Sequence, residues 1–153
     1  MPNHCYNRVT VYGSGDNRDT DETRDQIAKI KEIFEGESIF THFIPEPDWA
    51  TTPNKDGELP TQPANDNQHH MPFFKSTDKT DDRWYDWRLQ NWDTKWDAYE
   101  VSIDDDDPDQ LEVSFETAWS PPEAICHAMR EQYPDLSVSW FYDEPGCEIA
   151  GYL

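Results

Sequence analysis

From Cys5 to Tyr12 the chain alternates strictly. Cys5, Asn7, Val9 and Val11 share one face, and Tyr6, Arg8, Thr10 and Tyr12 the other. Period two with β-branched residues predicts a strand, closed by Gly13-Ser14-Gly15. Helical spacing follows. Thr20 or Asp19 suits an N-cap, Asp21 and Glu22 suit the first turn, and Ile27, Ile30, Ile33 and Phe34 recur on one side before Gly36. Later, Tyr99, Val101 and Ile103 alternate with Ala98, Glu100 and Ser102; Leu111, Val113 and Phe115 alternate with Glu112, Ser114 and Glu116. Those two runs predict a hairpin with one apolar face and an acidic turn between its strands. Ser120-Pro121-Pro122-Glu123 predicts a helix start, with Ser120 as cap, running to about Tyr133 and burying Ile125 and Met129. Leu136, Val138, Trp140 and Tyr142 alternate again, and Glu148 to Leu153 can return as a closing strand after Glu144-Pro145-Gly146.

Residues 37 to 96 break this regularity. Pro45, Pro47, Pro53, Pro60, Pro63 and Pro72 remove backbone donors along a polar run, which predicts an irregular excursion pinned at Phe40, Trp49 and Phe73-Phe74. A short helix is expected over 82–91. The order is therefore β-α-(insertion 37–96)-β-β-α-β-β within one domain, 1–153. With the insertion set aside, this is an α+β, ferredoxin-like split βαβ: an antiparallel sheet with two helices on one face, plus an extra C-terminal strand. The stretch Asn91-Trp92-Asp93-Thr94-Lys95-Trp96-Asp97 leads into the first strand of the C-terminal half. Its structural reading has Trp92 and Trp96 packing together to close the core, with Lys95 paired to Asp93 or Asp97. Trp119, ahead of Ser120-Pro121-Pro122, is expected in the core as well.

Four spaced motifs carry a resemblance. They are Met1-Pro2-Asn3 with Cys5 and Asn7; Asn91-Trp92 with Thr94-Lys95-Trp96-Asp97; Phe115-Glu116-Thr117-Ala118-Trp119-Ser120-Pro121-Pro122; and Tyr142-Asp143-Glu144-Pro145-Gly146 with Ala150-Gly151-Tyr152. Together they resemble the YubB-like proteins of plasmids and phages. The resemblance implies a ferredoxin-like domain in the C-terminal part, a mobile-element origin and residence in a bacterial cytoplasm, and it brings no catalytic residues. His4 stands where tryptophan is expected, and Asp93 where glycine is expected. The second departure implies a turn that need not use a positive φ.

Charge narrows the function. The formal charge is -21, and from Trp96 onward fifteen acids face one base, Arg130. Such a field repels nucleic acid and anionic membranes, because counterion release needs Lys and Arg clusters. It attracts a basic protein surface. Asp97, Glu100, Asp104, Asp105, Asp106, Asp107, Asp109, Glu112 and Glu116 are the expected partner-binding carboxylates. The leading expectation is a non-enzymatic, acidic interaction protein that binds a basic host protein, with DNA mimicry or host takeover as forms of that role. The alternatives are a small hydrolase or metal-dependent enzyme using the sheet-face glutamates, and a structural accessory protein.

Other chemistry is thinner. Counted from Asp104, a calcium loop would need Gly at 109 and Glu at 115, where Asp and Phe stand, so no metal or cofactor is expected. His69-His70 with Asp66 lacks a third ligand. Cys126 and His127 are consecutive on a helix and do not face each other, so Cys126 is read as core. Cys5, Cys126 and Cys147 are odd in number and far apart, which fits a reducing compartment. The opening Met-Pro-Asn-His-Cys has no basic region or apolar run, so no secretory leader is expected.

Overall fold

The computed structural model describes residues 3–49, 51–58 and 82–153. Its strands are β1 (His4–Gly13), β2 (Tyr99–Asp107), β3 (Gln110–Ala118), β4 (Leu136–Glu144) and β5 (Ile149–Tyr152). The helices are α1 (Asp21–Glu35), α2 (Arg83–Asn91) and α3 (Glu123–Gln132). The sheet runs β2-β3-β1-β4-β5, and every neighbouring pair is antiparallel. With β5 and α2 set aside, this is the ferredoxin-like order, in which the β1-α1-β2 crossover passes over β3 and the β3-α3-β4 crossover over β1. α1 and α3 cover one face, where Val9, Val11, Leu111, Val113, Phe115, Val138 and Trp140 are buried against Ile27, Ile30, Phe34, Ile125 and Met129. The alternation in β1, β3 and β4 is thus the core pattern, and Cys126 joins it fully buried.

Local chemistry accounts for the helix ends. Thr20 caps α1 by accepting the Thr23 amide, and Gly36 ends it. α3 starts differently from expectation. Pro122 is its N-cap position and offers no side-chain acceptor; the carboxylate of Asp93, from the segment after α2, accepts the Ala124 amide at 2.9 Å instead. Ser120 turns back and donates to the Asp93 carbonyl at 2.6 Å. Asp93 adopts φ +64°, so the turn does use the left-handed region that glycine would favour. A short side chain that hydrogen-bonds locally makes that conformation accessible to Asp, and here the same side chain serves as a remote cap.

The insertion docks through aromatic rings. Trp49, Trp87, Trp92, Phe40, Phe115 and Trp140 form a continuous series of edge-to-face contacts with centroids 5.6–6.3 Å apart. Phe40 and Trp49 are thus anchors as expected, while Phe73-Phe74 lies outside the described residues. Arg88, on the helix expected over 82–91, is buried between the Trp84 and Trp92 rings and forms a two-pronged ion pair with Glu46 at 2.8 Å. Arg83 donates to the carbonyls of Trp49, Thr52 and Pro53, fastening the loop beneath α2.

Three expectations for the tryptophan segment change. Trp92 and Trp96 are both buried but in separate clusters: Trp92 in the main core, Trp96 with Trp84 and Ala118 in a smaller one that Tyr99 and Trp49 flank. Ala118 shares its sheet face with His4 and Glu116, opposite Phe115. The segment therefore wraps the end of the sheet and places one tryptophan on each side. Lys95 lies over the Trp96 ring at 4.6 Å rather than against a carboxylate, since Asp93 and Asp97 are engaged with backbone amides. Trp119 is 47% exposed with φ +71°, a conformation that turns its side chain away from the core side. Thr94 supports the wrap, fully buried and donating to the Ala118 carbonyl.

Trp92→Ala should cost about 3–5 kcal/mol in urea unfolding, whereas Trp119→Ala should cost less than about 1 kcal/mol. Arg88→Ala should cost about 3–5 kcal/mol because it strands the Glu46 carboxylate, and adding Glu46→Ala should recover part of that loss. A double mutant no more stable than Arg88→Ala alone would show that the ion pair is not the reason.

Candidate functional site

The second sheet face carries none of α1, α2 or α3 over its centre. Register places its side chains in rows. Glu116, Tyr6 and Asp143 stand side by side across β3, β1 and β4; the next row is Ser114, Arg8 and Phe141, and then Glu112, Thr10 and Ser139. Around the first two rows lies a shallow, open concavity of about 550 Å³, lined by Tyr6, Arg8, Glu100, Ser114, Glu116, Phe141 and Asp143 together with Asn7 and Phe115. On β2, Tyr99 pairs with Glu116, and its hydroxyl meets His4 Nδ1 at 2.5 Å. At the β5 side, the Phe141 and Tyr152 rings meet in a tilted contact, centroids 5.3 Å apart and planes at 60°.

β2 departs from simple alternation and shapes this wall. Tyr99 pairs with Glu116 and Ser102 with Ser114, so two residues, Glu100 and Val101, oppose Phe115 alone. A bulge of this kind flips the side-chain sense. Tyr99 thereby joins the open face, contrary to its expected place beside Val101 and Ile103, and Glu100, at φ +50°, is aimed into the concavity. A second irregularity lies between Ile103 and Asp105.

The predicted carboxylates divide into distinct groups. Asp97, expected on the acidic surface, turns inward and accepts the amides of Ile39, Phe40 and Ala98 at 2.8–3.1 Å. Burial pushes its carboxyl above the ordinary range, against those three amides and the Arg88 guanidinium, which pull it down. Asp104 to Asp107 lie within strand β2, with Pro108 and Asp109 left as the turn. Asp104 accepts from Ser102, Asp105 from the Asp107 amide and Asp107 from the Asp109 amide. Asp109 is held by both guanidinium prongs of Arg24 on α1, which lowers its pKa. Glu112 sits 3.9 Å from Arg8, a loose contact. Glu100 and Glu116 face the concavity, and Asp143 joins them. Carrying the β4 alternation two residues past Phe141 would have found it.

The remaining polar groups are structural. Asn7 bridges Trp140 Nε1, Thr117 Oγ1 and the Cys5 carbonyl beneath the sheet. Burial pushes the Cys5 thiol up to about 11, which leaves it un-ionised and unreactive at neutral pH. Among the described residues, no three His, Cys, Asp or Glu side chains converge on a metal-holding position. His69-His70 lies outside them. No helix among the described residues is long and apolar enough to cross a membrane.

Residues 91–153 match the family model of the ferredoxin-like domain in Api92-like protein. A solved structure of protein Api92 from Yersinia pseudotuberculosis is 12% identical, covering 99% of this chain and 93% of that chain, with a TM-score of 0.49. No curated protein matches the chain. The family match begins at Asn91, so it takes in the wrapping segment together with the four strands and one helix that follow.

Asp97→Asn should destabilise the fold by about 1–3 kcal/mol, because an amide turns one donor toward backbone donors. The folded pKa of Asp97 is raised. Its contribution is therefore complete below the unfolded pKa, about 3.9, and is lost as pH rises through the folded value. The advantage of the wild type over Asp97→Asn should narrow as pH climbs above about 4. Denaturation at a series of pH values checks this, and a constant gap would contradict the raised pKa.

Proposed function

We propose that this chain is a non-enzymatic interaction protein of a phage or plasmid, and that its open sheet face binds a basic protein surface in a bacterial host. The observation that carries the reading is the composition of the concavity. Glu100, Glu116 and Asp143 converge there with Tyr6 and Phe141, and the one base among its lining residues, Arg8, lies toward Glu112. Ferredoxin-like sheets that bind RNA present aromatics with basic neighbours. Here the aromatics are flanked by carboxylates, which repel phosphate and attract Lys and Arg. The acidic β2 edge extends the same field along the hairpin, with Asp109 muted by Arg24. The mobile-element origin and cytoplasmic setting rest on the motif resemblance to YubB-like proteins. DNA mimicry, as a means of host takeover or anti-defence, is the form this binding takes if the partner's surface normally holds DNA.

A second reading, a small hydrolase, is favoured by the meeting of Glu100 and Glu116 in one concavity. That concavity is open, so it excludes little water and would strengthen no electrostatic interaction with a transition state. The interaction reading suits an open face better.

Immobilised protein exposed to bacterial lysate at about 50 mM salt should retain basic proteins and release them as salt rises to about 500 mM, where the screening length falls from above 10 Å to below 5 Å. The triple variant Glu100→Gln/Glu116→Gln/Asp143→Asn should lose them, and duplex DNA should compete if mimicry operates. Retention of neutral or acidic proteins, unaffected by salt and by the triple variant, would sink the proposal.

A further inference from the structure

The row Glu116–Tyr6–Asp143 has a specific chemistry. Tyr6 lies directly opposite both acids, one on each neighbouring strand, and all three side chains line the same concavity. Directly opposed side chains in antiparallel strands have Cβ atoms about 5 Å apart. Tyr6 is 51% exposed. Elsewhere the chain supplies its own cations to aromatic faces: Arg18 over Tyr12, Arg83 over Trp49, Arg88 between Trp84 and Trp92, and Lys95 over Trp96. Among the described residues Tyr6 has no such cation, although it is the ring flanked on both sides by carboxylates. Arg8, two residues along the same face, also lines the concavity and makes a loose contact with Glu112 at 3.9 Å.

We infer that the Glu116–Tyr6–Asp143 row is the subsite for one arginine side chain of the basic partner, its guanidinium lying on the Tyr6 ring between the two acids. This rests on the proposed basic-partner reading and deepens it. A planar guanidinium stacks on an aromatic face and offers paired donors to carboxylates on either side; a lysine ammonium is a compact, strongly hydrated point charge and does neither as well. Glu100, delivered by the bulge, closes the third side of the concavity. The occupant is an extended segment because the face is shallow and its rows continue toward Thr10 and Ser139.

The test compares hexa-arginine and hexa-lysine peptides, titrated calorimetrically at low salt into the full chain and its variants. Hexa-arginine should bind more tightly. Tyr6→Ala should weaken it about tenfold and abolish the preference, while Tyr6→Phe should retain both. The triple variant Asp104→Asn/Asp105→Asn/Asp107→Asn should weaken both peptides equally, as loss of general field. Unfolding midpoints of the Tyr6 variants confirm that the fold persists, as the half exposure of Tyr6 implies. If both peptides bind alike and Tyr6→Ala changes nothing while the β2 variant weakens both, the arginine subsite is wrong and the basic-partner reading stands. If neither peptide binds the wild type, both fall.

Discussion

The buried pair Arg88–Glu46 holds the two halves of this structure together. Taking both ions out of water costs several kcal/mol each, and only good geometry with added contacts offsets that cost. Here the guanidinium meets the carboxylate with two prongs and is faced by tryptophans on both sides. Trp84 belongs to the small cluster at the end of the open face, and Trp92 to the main core. One cation thus joins the insertion, α2 and both hydrophobic clusters. Trp49 also donates its indole N–H to Glu46, so the loop's aromatic anchor is tied to the same carboxylate.

Much of the acidity is engaged within the fold, with backbone amides or with a guanidinium. Asp93 caps α3 from a distance, Asp97 gathers three amides where the insertion meets the sheet, and Asp109 ties the hairpin turn to α1. A carboxylate is a good acceptor for orphan amide donors, and near a helix N-terminus its charge is favourable as well. The acids left facing outward are consequently a more selective group than the net charge of -21 implies. Among them, Glu100, Glu112, Glu116 and Asp143 stand on the open sheet face, where the strand register sets their spacing.

The elements themselves were legible in the chain. Strand alternation, the Thr20 cap, the proline-bounded third helix and the ferredoxin-like order all emerged from local periodicity, because period 2 and period 3.6 follow directly from backbone geometry. The sheet-face residues Tyr6, Arg8, Glu112 and Glu116 followed from the same arithmetic. Errors began where alternation was interrupted or where partners were remote. The bulge at Glu100 moved Tyr99 to the opposite face, the left-handed backbone at Trp119 moved an expected core ring outward, and Asp104 to Asp107 continued the strand instead of ending it.

What the sequence by itself determined is which residues share a face of each strand or helix, since neighbours along the chain set that pattern. What only the tertiary structure decided is which charges remain available. Arg88 reads as an ordinary helix-surface arginine until Glu46, 42 residues away, comes beside it. Asp97 reads as one acid in an acidic run until three amides from two segments converge on it. The Glu116–Tyr6–Asp143 row exists only once β3 and β4 flank β1 in register. Burial and pairing depend on contacts between distant segments, and no local period encodes them.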